Sequence, residues 1–135
     1  MSELPVYRTD FGTLDADAAF PAEKIPNEAF RNGIAVRMPN HLGDAVMALP
    51  ALKSLRSILP PYCALYVITP TSLRQLYAAI READGMVVLE RPHRAWGMKT
   101  INELRALRLG VGVLFNNSFR DALMMRLAGP CCPGR

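Results

Sequence analysis

The sequence predicts an α/β fold, a Rossmann-like parallel sheet with helices on both faces. Four short apolar segments lie at residues 33–38, 64–69, 86–89 and 111–115, and each is followed by a turn or loop and apolar residues at helical spacing. Strands that alternate with helices over such short distances pair in parallel through right-handed crossovers. The 135 residues are enough for one domain with a modest core.

The first strand and helix have the clearest sequence pattern. The apolar segment 34–38 ends at Pro39, which is typical of a buried strand. A polar turn at 40–44 precedes apolar residues at three- and four-residue steps: Val46, Leu49, Leu52, Leu55 and Leu59. Pro50 lies inside this helix and is expected to kink or loosen it, because proline lacks a backbone donor. The prolines at 60–61 are expected to end the helix.

The later elements repeat this alternation. A helical face follows the second strand, marked by Leu73, Leu76, Tyr77 and Ile80. After the third strand, a loop with His93 and Trp96 either covers a ligand or packs on the domain. The next helix is expected to end with Gly110 as its C-cap. After the fourth strand, residues 116–118 are expected to cap the last helix.

The net charge of +4 is unevenly distributed. Residues 1–30 carry two basic and six acidic residues and show no sustained periodicity, so we expect a partly disordered N-terminal extension. Residues 31–135 carry fourteen basic and six acidic residues and hold the predicted domain. Such a basic domain suits phosphate, carboxylate, nucleic acid or a membrane surface, or simply has a solvated basic surface.

The sequence predicts a cytoplasmic protein, because it shows neither a secretory leader nor a run of eighteen apolar residues. Cys63, Cys131 and Cys132 form no C-x-x-C pair, so neither a zinc site nor a disulfide framework is expected. The glycine patterns of dinucleotide-binding and P-loop proteins are absent. We therefore expect no cofactor and no metal ion.

Ligands of parallel sheets bind at the carboxyl ends of the strands, which selects segments 39–44 and 116–120. The helix that begins near Gly43 offers free N–H groups, and the glycine permits close backbone approach. Asp44 would repel a phosphate but suits a general base that takes a proton from a neutral hydroxyl. It is the only acid in these two segments. The alternative is that Asp44 only complements the helix dipole.

Residues 36–52 form one longer motif, and residues 114–123 with the Ala-Gly pair at 128–129 form a second; together they resemble the heptosyltransferases of glycosyltransferase family nine. Residues 36–52 are similar to the family's opening strand, its Leu- or Val-Gly-Asp loop and a helix carrying Leu-Pro-Ala-Leu. Residues 114–123, followed by the Ala-Gly pair at 128–129, are similar to its apolar strand, Asn-Ser-Phe-Lys/Arg-x-Ala segment and Ala-Gly turn. The motifs have the family's order and spacing, and the resemblance covers residues 33–130.

The resemblance implies an inverting enzyme with a two-domain GT-B fold, of which this chain is the N-terminal, acceptor-side half. Its substrates are ADP-heptose and the lipopolysaccharide inner core, as Kdo-lipid A or a heptosylated form. Asp44 is then the catalytic base. The implied acceptor-binding residues are Asn40, His41, Gly43, Asn117, Ser118 and Arg120. For residues 117–120 the alternative is a helix cap followed by a solvated arginine, and His41 is a bystander if it does not touch substrate.

The resemblance further implies a truncated chain, because ADP-heptose is held mainly by a C-terminal half beyond residue 135. We therefore expect no transfer by this chain alone. Peripheral contact with the cytoplasmic face of the inner membrane is expected, and nucleic acid is not an expected partner. The alternative function is a non-catalytic fragment or a binding module for an anionic glycolipid or nucleotide.

Overall fold

The computed structural model describes residues 27–129, which form a single four-stranded parallel sheet. The strands are β1 (Ile34–Arg37), β2 (Leu65–Pro70), β3 (Gly85–Leu89) and β4 (Val111–Leu114). They lie in the order β3-β2-β1-β4, with every neighbouring pair parallel. This confirms the predicted parallel sheet. The chain order reverses between β1 and β4, and such a switch point opens a crevice at the carboxyl ends of the strands.

Helices cover both faces of the sheet, as the sequence predicts. They are α1 (Leu42–Ile58), α2 (Arg74–Ala78), α3 (Met98–Leu107) and α4 (Phe119–Leu127), with 3-10 turns at Asn27–Asn32 and Thr71–Leu73. One core packs α1 and α2 against alternate strand residues that include Ile34 and Val36. The other packs α3 and α4 against the opposite strand face, which includes Ala35. Alternate residues of β1 therefore serve the two cores, as the pleat requires.

One local expectation stays a prediction and another needs correction. Helix α1 runs from Leu42 to Ile58 with Pro50 inside it on the exposed side, so the helix does not end at the proline, and the kink or loosening stays a prediction. Helix α3 ends at Leu107, and its C-cap is Arg108, whose backbone adopts the left-handed conformation with φ 51° and ψ 43°, so Gly110 is not the C-cap. Gly110 instead allows close packing, because a Cβ at this position would overlap the carbonyl oxygen of Ala29. Ala29 is itself buried, so the 3-10 turn at 27–32 belongs to the folded unit.

Cys131, Cys132 and most of the predicted extension at 1–30 lie outside the described residues. Cys63 is a buried free thiol. Within residues 27–129, no helix combines the length and the apolar character needed to cross a bilayer.

Candidate functional site

A pocket of about 590 Å³ opens at the carboxyl ends of β1 and β4, where the order of the strands reverses. Both strand-end segments selected from the sequence contribute to it. Its lining residues are Pro39, Asn40, His41, Asp44, Met47, Ala48, Phe115, Asn116, Asn117 and Ser118. Amides, a hydroxyl, an imidazole and one carboxylate thus face an otherwise apolar pocket, a composition typical of small-molecule sites.

Asp44 provides the carboxylate of this pocket from the first turn of α1. Its side chain is exposed and makes neither an ion pair nor a side-chain hydrogen bond with any residue in the range 27–129. The preceding N-cap residue, His41, gives the helix no side-chain cap. The Asp44 carboxylate therefore keeps its lone pairs free for a ligand, and the positive end of the α1 dipole favours its negative charge.

The opposite wall is the turn between β4 and α4. Ser118 is the N-cap of α4, and its Oγ accepts a hydrogen bond of 3.3 Å from the backbone N–H of Asp121. The capping role predicted for this segment is therefore present, and Ser118 lines the pocket as well. Asn117 is exposed beside it.

Behind the pocket lies a buried ion pair between Arg37, the last residue of β1, and Asp121 of α4. Both residues are fully buried, and Nε of Arg37 lies 3.0 Å from Oδ2 of Asp121. Burial lowers the pKa of the Arg37 guanidinium, and the charge of Asp121 opposes that shift. An arginine in this position still carries its charge, so the pair needs the hydrogen bonds around it to offset the cost of desolvation.

Further hydrogen bonds satisfy this ion pair. The Asp121 carboxylate also accepts from the indole N–H of Trp96 at 3.1 Å and from the side-chain amide of Asn116. Arg37 donates through Nη1 to the carbonyl oxygen of Met38 at 2.6 Å and through Nη2 to Oδ1 of Asn40 at 2.5 Å. Asn40 and Asn116 line the pocket, so the buried pair reaches both walls.

Arg120 does not line the pocket, although the sequence places it at the acceptor cleft. Its Nη1 and Nη2 donate to the carbonyl oxygens of His93 and Pro92, the latter at 3.0 Å. Arg120 thus attaches the loop after β3 to the start of α4. The imidazole of His93 lies near the pocket, with its ring centroid 6.3 Å from that of His41.

A second cavity, of about 650 Å³, lies beside this loop at the start of α3. Its charged lining comprises Arg74, Arg91, Arg94, Lys99, Glu90 and Glu103. Basic side chains therefore outnumber acidic ones. Trp96 also lines this cavity, although only 5% of the residue is exposed. Its burial favours the expectation that Trp96 packs on the domain over the alternative that it covers a ligand.

The first pocket brings together five of the residues singled out from the sequence: Asn40, His41, Asp44, Asn117 and Ser118. Gly43 lies exposed in α1 without lining it, and a Cβ there would meet nothing within 4 Å. The described residues contain no group of three or more histidine, cysteine or acidic side chains arranged to hold a metal ion.

Arg37 and Asp121 were not singled out from the sequence, and Trp96 and Asn116 were named there only as part of a loop and of a helix cap. A usable signal was present at Arg37, because a charge within an apolar strand requires a buried partner. Asp121 gave no comparable signal, since an acid in the first turn of a helix is favoured by the dipole wherever it occurs.

Comparison with known proteins agrees with this architecture. No protein-family model matches the sequence, and neither does any curated protein. Among solved structures, the ADP-heptose lipopolysaccharide heptosyltransferase II of E. coli is similar over 71% of this chain, with a TM-score of 0.59 and 26% sequence identity. The chain spans 28% of the length of that structure. The described domain therefore has a Rossmann-like α/β fold similar to part of this heptosyltransferase.

Proposed function

We propose that this chain binds the acceptor in the transfer of heptose from ADP-heptose to the inner core of lipopolysaccharide, and that Asp44 is the general base. The observation that carries the proposal is the Asp44 carboxylate, which has no partner among residues 27–129, in the pocket at the switch point of the sheet. The fold similarity to a heptosyltransferase supports the same reaction class.

In this reaction an acceptor hydroxyl oxygen attacks the anomeric carbon of the heptose while its proton passes to the Asp44 carboxylate. The bond from the anomeric carbon to the ADP oxygen breaks, and ADP leaves with the electron pair. Attack from the face opposite ADP inverts the anomeric centre. A base that stays exposed until the acceptor arrives suits this step, because proton transfer requires direct hydrogen-bond reach.

The pocket suits the neutral part of a sugar. Asn40, Asn117 and Ser118 offer donors and acceptors to hydroxyl groups, and Met47 and Phe115 offer apolar contact to the ring. The acidic groups of the acceptor need cations, and the first pocket has no lysine or arginine in its lining. In the proposal, carboxylates and phosphates of the inner core bind Arg91, Arg94 and the neighbouring basic residues of the second cavity.

The proposal assigns ADP-heptose to a second domain, as in a two-domain enzyme. It also includes peripheral contact with the inner membrane, since the acceptor is a glycolipid, and the basic surface favours an anionic leaflet.

Turnover is tested in a polypeptide that joins this chain to an ADP-heptose-binding domain. Asp44→Asn should lower kcat about a hundredfold to ten-thousandfold, with little change in the Michaelis constant for ADP-heptose. Asp84→Asn is the matched control, because Asp84 pairs with Arg56 far from the pocket. Near-normal kcat in Asp44→Asn would refute the assignment of the base.

Acceptor binding is tested on the 135-residue chain itself by nuclear magnetic resonance. Titration with inner-core oligosaccharide should shift the amide signals of residues 40–44 and 116–118, and titration with ADP-heptose should leave them unchanged. Acceptor shifts without turnover in the joined polypeptide would favour a binding module. The absence of shifts at either segment would contradict an acceptor site in this pocket.

A further inference from the structure

The two walls of the first pocket have little backbone connection beyond the end of the sheet. Strands β1 and β4 are paired up to Arg37 and Leu114. The last backbone hydrogen bond between the two segments, among residues 27–129, runs from the N–H of Phe115 to the carbonyl oxygen of Arg37 at 2.9 Å. Beyond that point, the side-chain hydrogen bonds that join the two segments within residues 27–129 are those of the buried Arg37–Asp121 cluster.

We propose that Asp121 is a positioning residue that fixes which hydrogen-bonding atoms the pocket presents to its ligand. It acts directly on Asn116 and, through Arg37, on Asn40. This inference depends on the proposed function only for the identity of the ligand, because the contacts that carry it lie within the protein.

The chemistry of the partners allows one orientation of each amide. An ionised carboxylate only accepts hydrogen bonds, so Asn116 must direct its NH₂ group towards Asp121. A guanidinium only donates, so Asn40 must direct its Oδ1 towards Nη2 of Arg37. Each amide has one end held by the buried charge, and the other end is left for the pocket.

The two free ends are complementary. Oδ1 of Asn116 is buried and accepts no hydrogen bond from the described residues, so its capacity as an acceptor is unsatisfied. The NH₂ group of Asn40 is left as a donor, since its Oδ1 is already occupied by Arg37. In the proposal, Asn40 offers a fixed donor on one wall, and a ligand hydroxyl that reaches the buried Oδ1 of Asn116 satisfies a fixed acceptor on the other, a pattern that matches a pair of sugar hydroxyls. Pre-set polar groups of this kind bind with less ordering cost than freely rotating ones.

Substitution of Asp121 by asparagine should remove this constraint with little change in shape. The carboxamide introduced by Asp121→Asn would offer one acceptor oxygen and one NH₂ donor to three N–H groups, so at least one of them would lose its partner. We expect the Asn116 amide to rotate or become mobile, and the Arg37 guanidinium to shift away from Asn40. The pocket would then keep its volume but lose its fixed polarity.

The test is nitrogen-15 magnetic resonance on the 135-residue chain, without any substrate. In the unchanged protein, the NH₂ protons of Asn116 and the indole proton of Trp96 should exchange with solvent at least about tenfold more slowly than the NH₂ protons of the exposed Asn117. Asp121→Asn should shift the NH₂ signals of both Asn40 and Asn116 and remove the protection of the latter.

Asp84→Asn is the matched control for a merely structural effect. Asp84 accepts from the backbone N–H of Leu65 at 2.8 Å and pairs with Arg56 at 3.3 Å, so the same chemical change removes the charge from a more exposed pair elsewhere in the sheet domain. The control should leave the Asn40 and Asn116 signals in place. Unmoved amide signals in Asp121→Asn, or equal movement in Asp84→Asn, would overturn the proposal.

If Asp121→Asn fails to fold, the exchange measurement in the unchanged protein decides. Fast exchange of the Asn116 amide would show that the carboxylate does not hold it, and slow exchange would support the positioning role. These readouts are independent of catalysis, so a failure of the Asp44 turnover test and a failure of the Asp121 amide test remain distinguishable.

Discussion

Replacing Tyr77 by phenylalanine tests how the core between the sheet and helices α1 and α2 affects a buried phenol. The quantity to follow is the free energy of unfolding as a function of pH. Tyr77 is 1% exposed, and its hydroxyl makes no hydrogen bond with the described residues. Burial raises the pKa of the Tyr77 phenol to about 12, while the charge of Arg37 opposes the shift. The ordinary value is 10.0, so the shift of about two units corresponds to roughly 2–3 kcal/mol.

The sign follows from proton uptake. Between pH 10 and 12 the unfolded chain has lost the phenolic proton and the folded chain keeps it, so the folded state binds more protons. The contribution of the Tyr77 phenol to the free energy of unfolding is therefore at its full value below pH 10. It falls by roughly 2–3 kcal/mol as the pH rises to 12. Tyr77→Phe should lack this loss. At neutral pH the variant should be neutral or more stable by up to about 1 kcal/mol, because it removes a hydroxyl without a partner.

The measurement is urea unfolding at a series of pH values from 7 to 12, followed by circular dichroism. The relevant quantity is the difference in unfolding free energy between the unchanged protein and Tyr77→Phe. Tyr62→Phe provides the control, since Tyr62 is 62% exposed and undergoes the same chemical change. A difference that stays constant from pH 10 to 12 would refute the argument. A loss of stability at pH 7 would show that the hydroxyl has a hydrogen-bond partner.

Two further comparisons test local features of the fold. Gly110→Ala should lower the free energy of unfolding by about 1–3 kcal/mol, because the added methyl group would overlap the backbone carbonyl of Ala29. Gly43→Ala should leave the free energy of unfolding the same or raise it by up to about 1 kcal/mol, since Gly43 is exposed in a helix with open space around it. Equal effects of the two substitutions in thermal unfolding would contradict both predictions. Arg120→Ala should increase tryptic cleavage in the loop after β3, whose carbonyls it binds. Arg105→Ala, which loses hydrogen bonds to the carbonyl oxygen of Leu127, should not increase that cleavage. Unchanged cleavage in Arg120→Ala would contradict the attachment of the loop and leave that arginine available for the acceptor.

The sheet was predictable from the sequence because its signals are local. Each buried strand is a short apolar run, and each run differs by at most one residue at either end from the strand observed. The position of the pocket was predictable for the same reason, since parallel sheets bind ligands at the carboxyl ends of their strands. Knowing the order of four segments was sufficient to select 39–44 and 116–120.

The features that the sequence did not reveal depend on long-range packing. Gly110 has the local pattern of a helix C-cap, and only its proximity to Ala29 shows why glycine is needed there. Arg120 has the local pattern of a solvated or ligand-binding cation, yet the loop after β3 lies close enough to bind its guanidinium. The Arg37–Asp121 pair joins residues 84 positions apart, and no local pattern predicts such a contact.

The two carboxylates near the pocket illustrate the same difference. Asp44 and Asp121 both occupy the first turn of a helix that follows a strand, and both satisfy the same preference for the helix dipole. Their surroundings separate them. Asp121 is fully buried and accepts from Arg37, Asn116 and Trp96, so its oxygen atoms are committed and hidden from any ligand.

Asp44 is exposed to the pocket and has no partner within the described residues, so its oxygen atoms can accept a proton from an incoming hydroxyl. The two acids therefore have separable roles. Loss of the Asp44 carboxylate should impair the proton transfer and leave the Asn40 and Asn116 amides in place. Loss of the Asp121 carboxylate should disturb those amides while a base remains at residue 44. In the proposed glycosyl transfer, the exposed carboxylate of Asp44 serves as the proton acceptor, and the buried carboxylate of Asp121 holds the amides that orient the acceptor sugar.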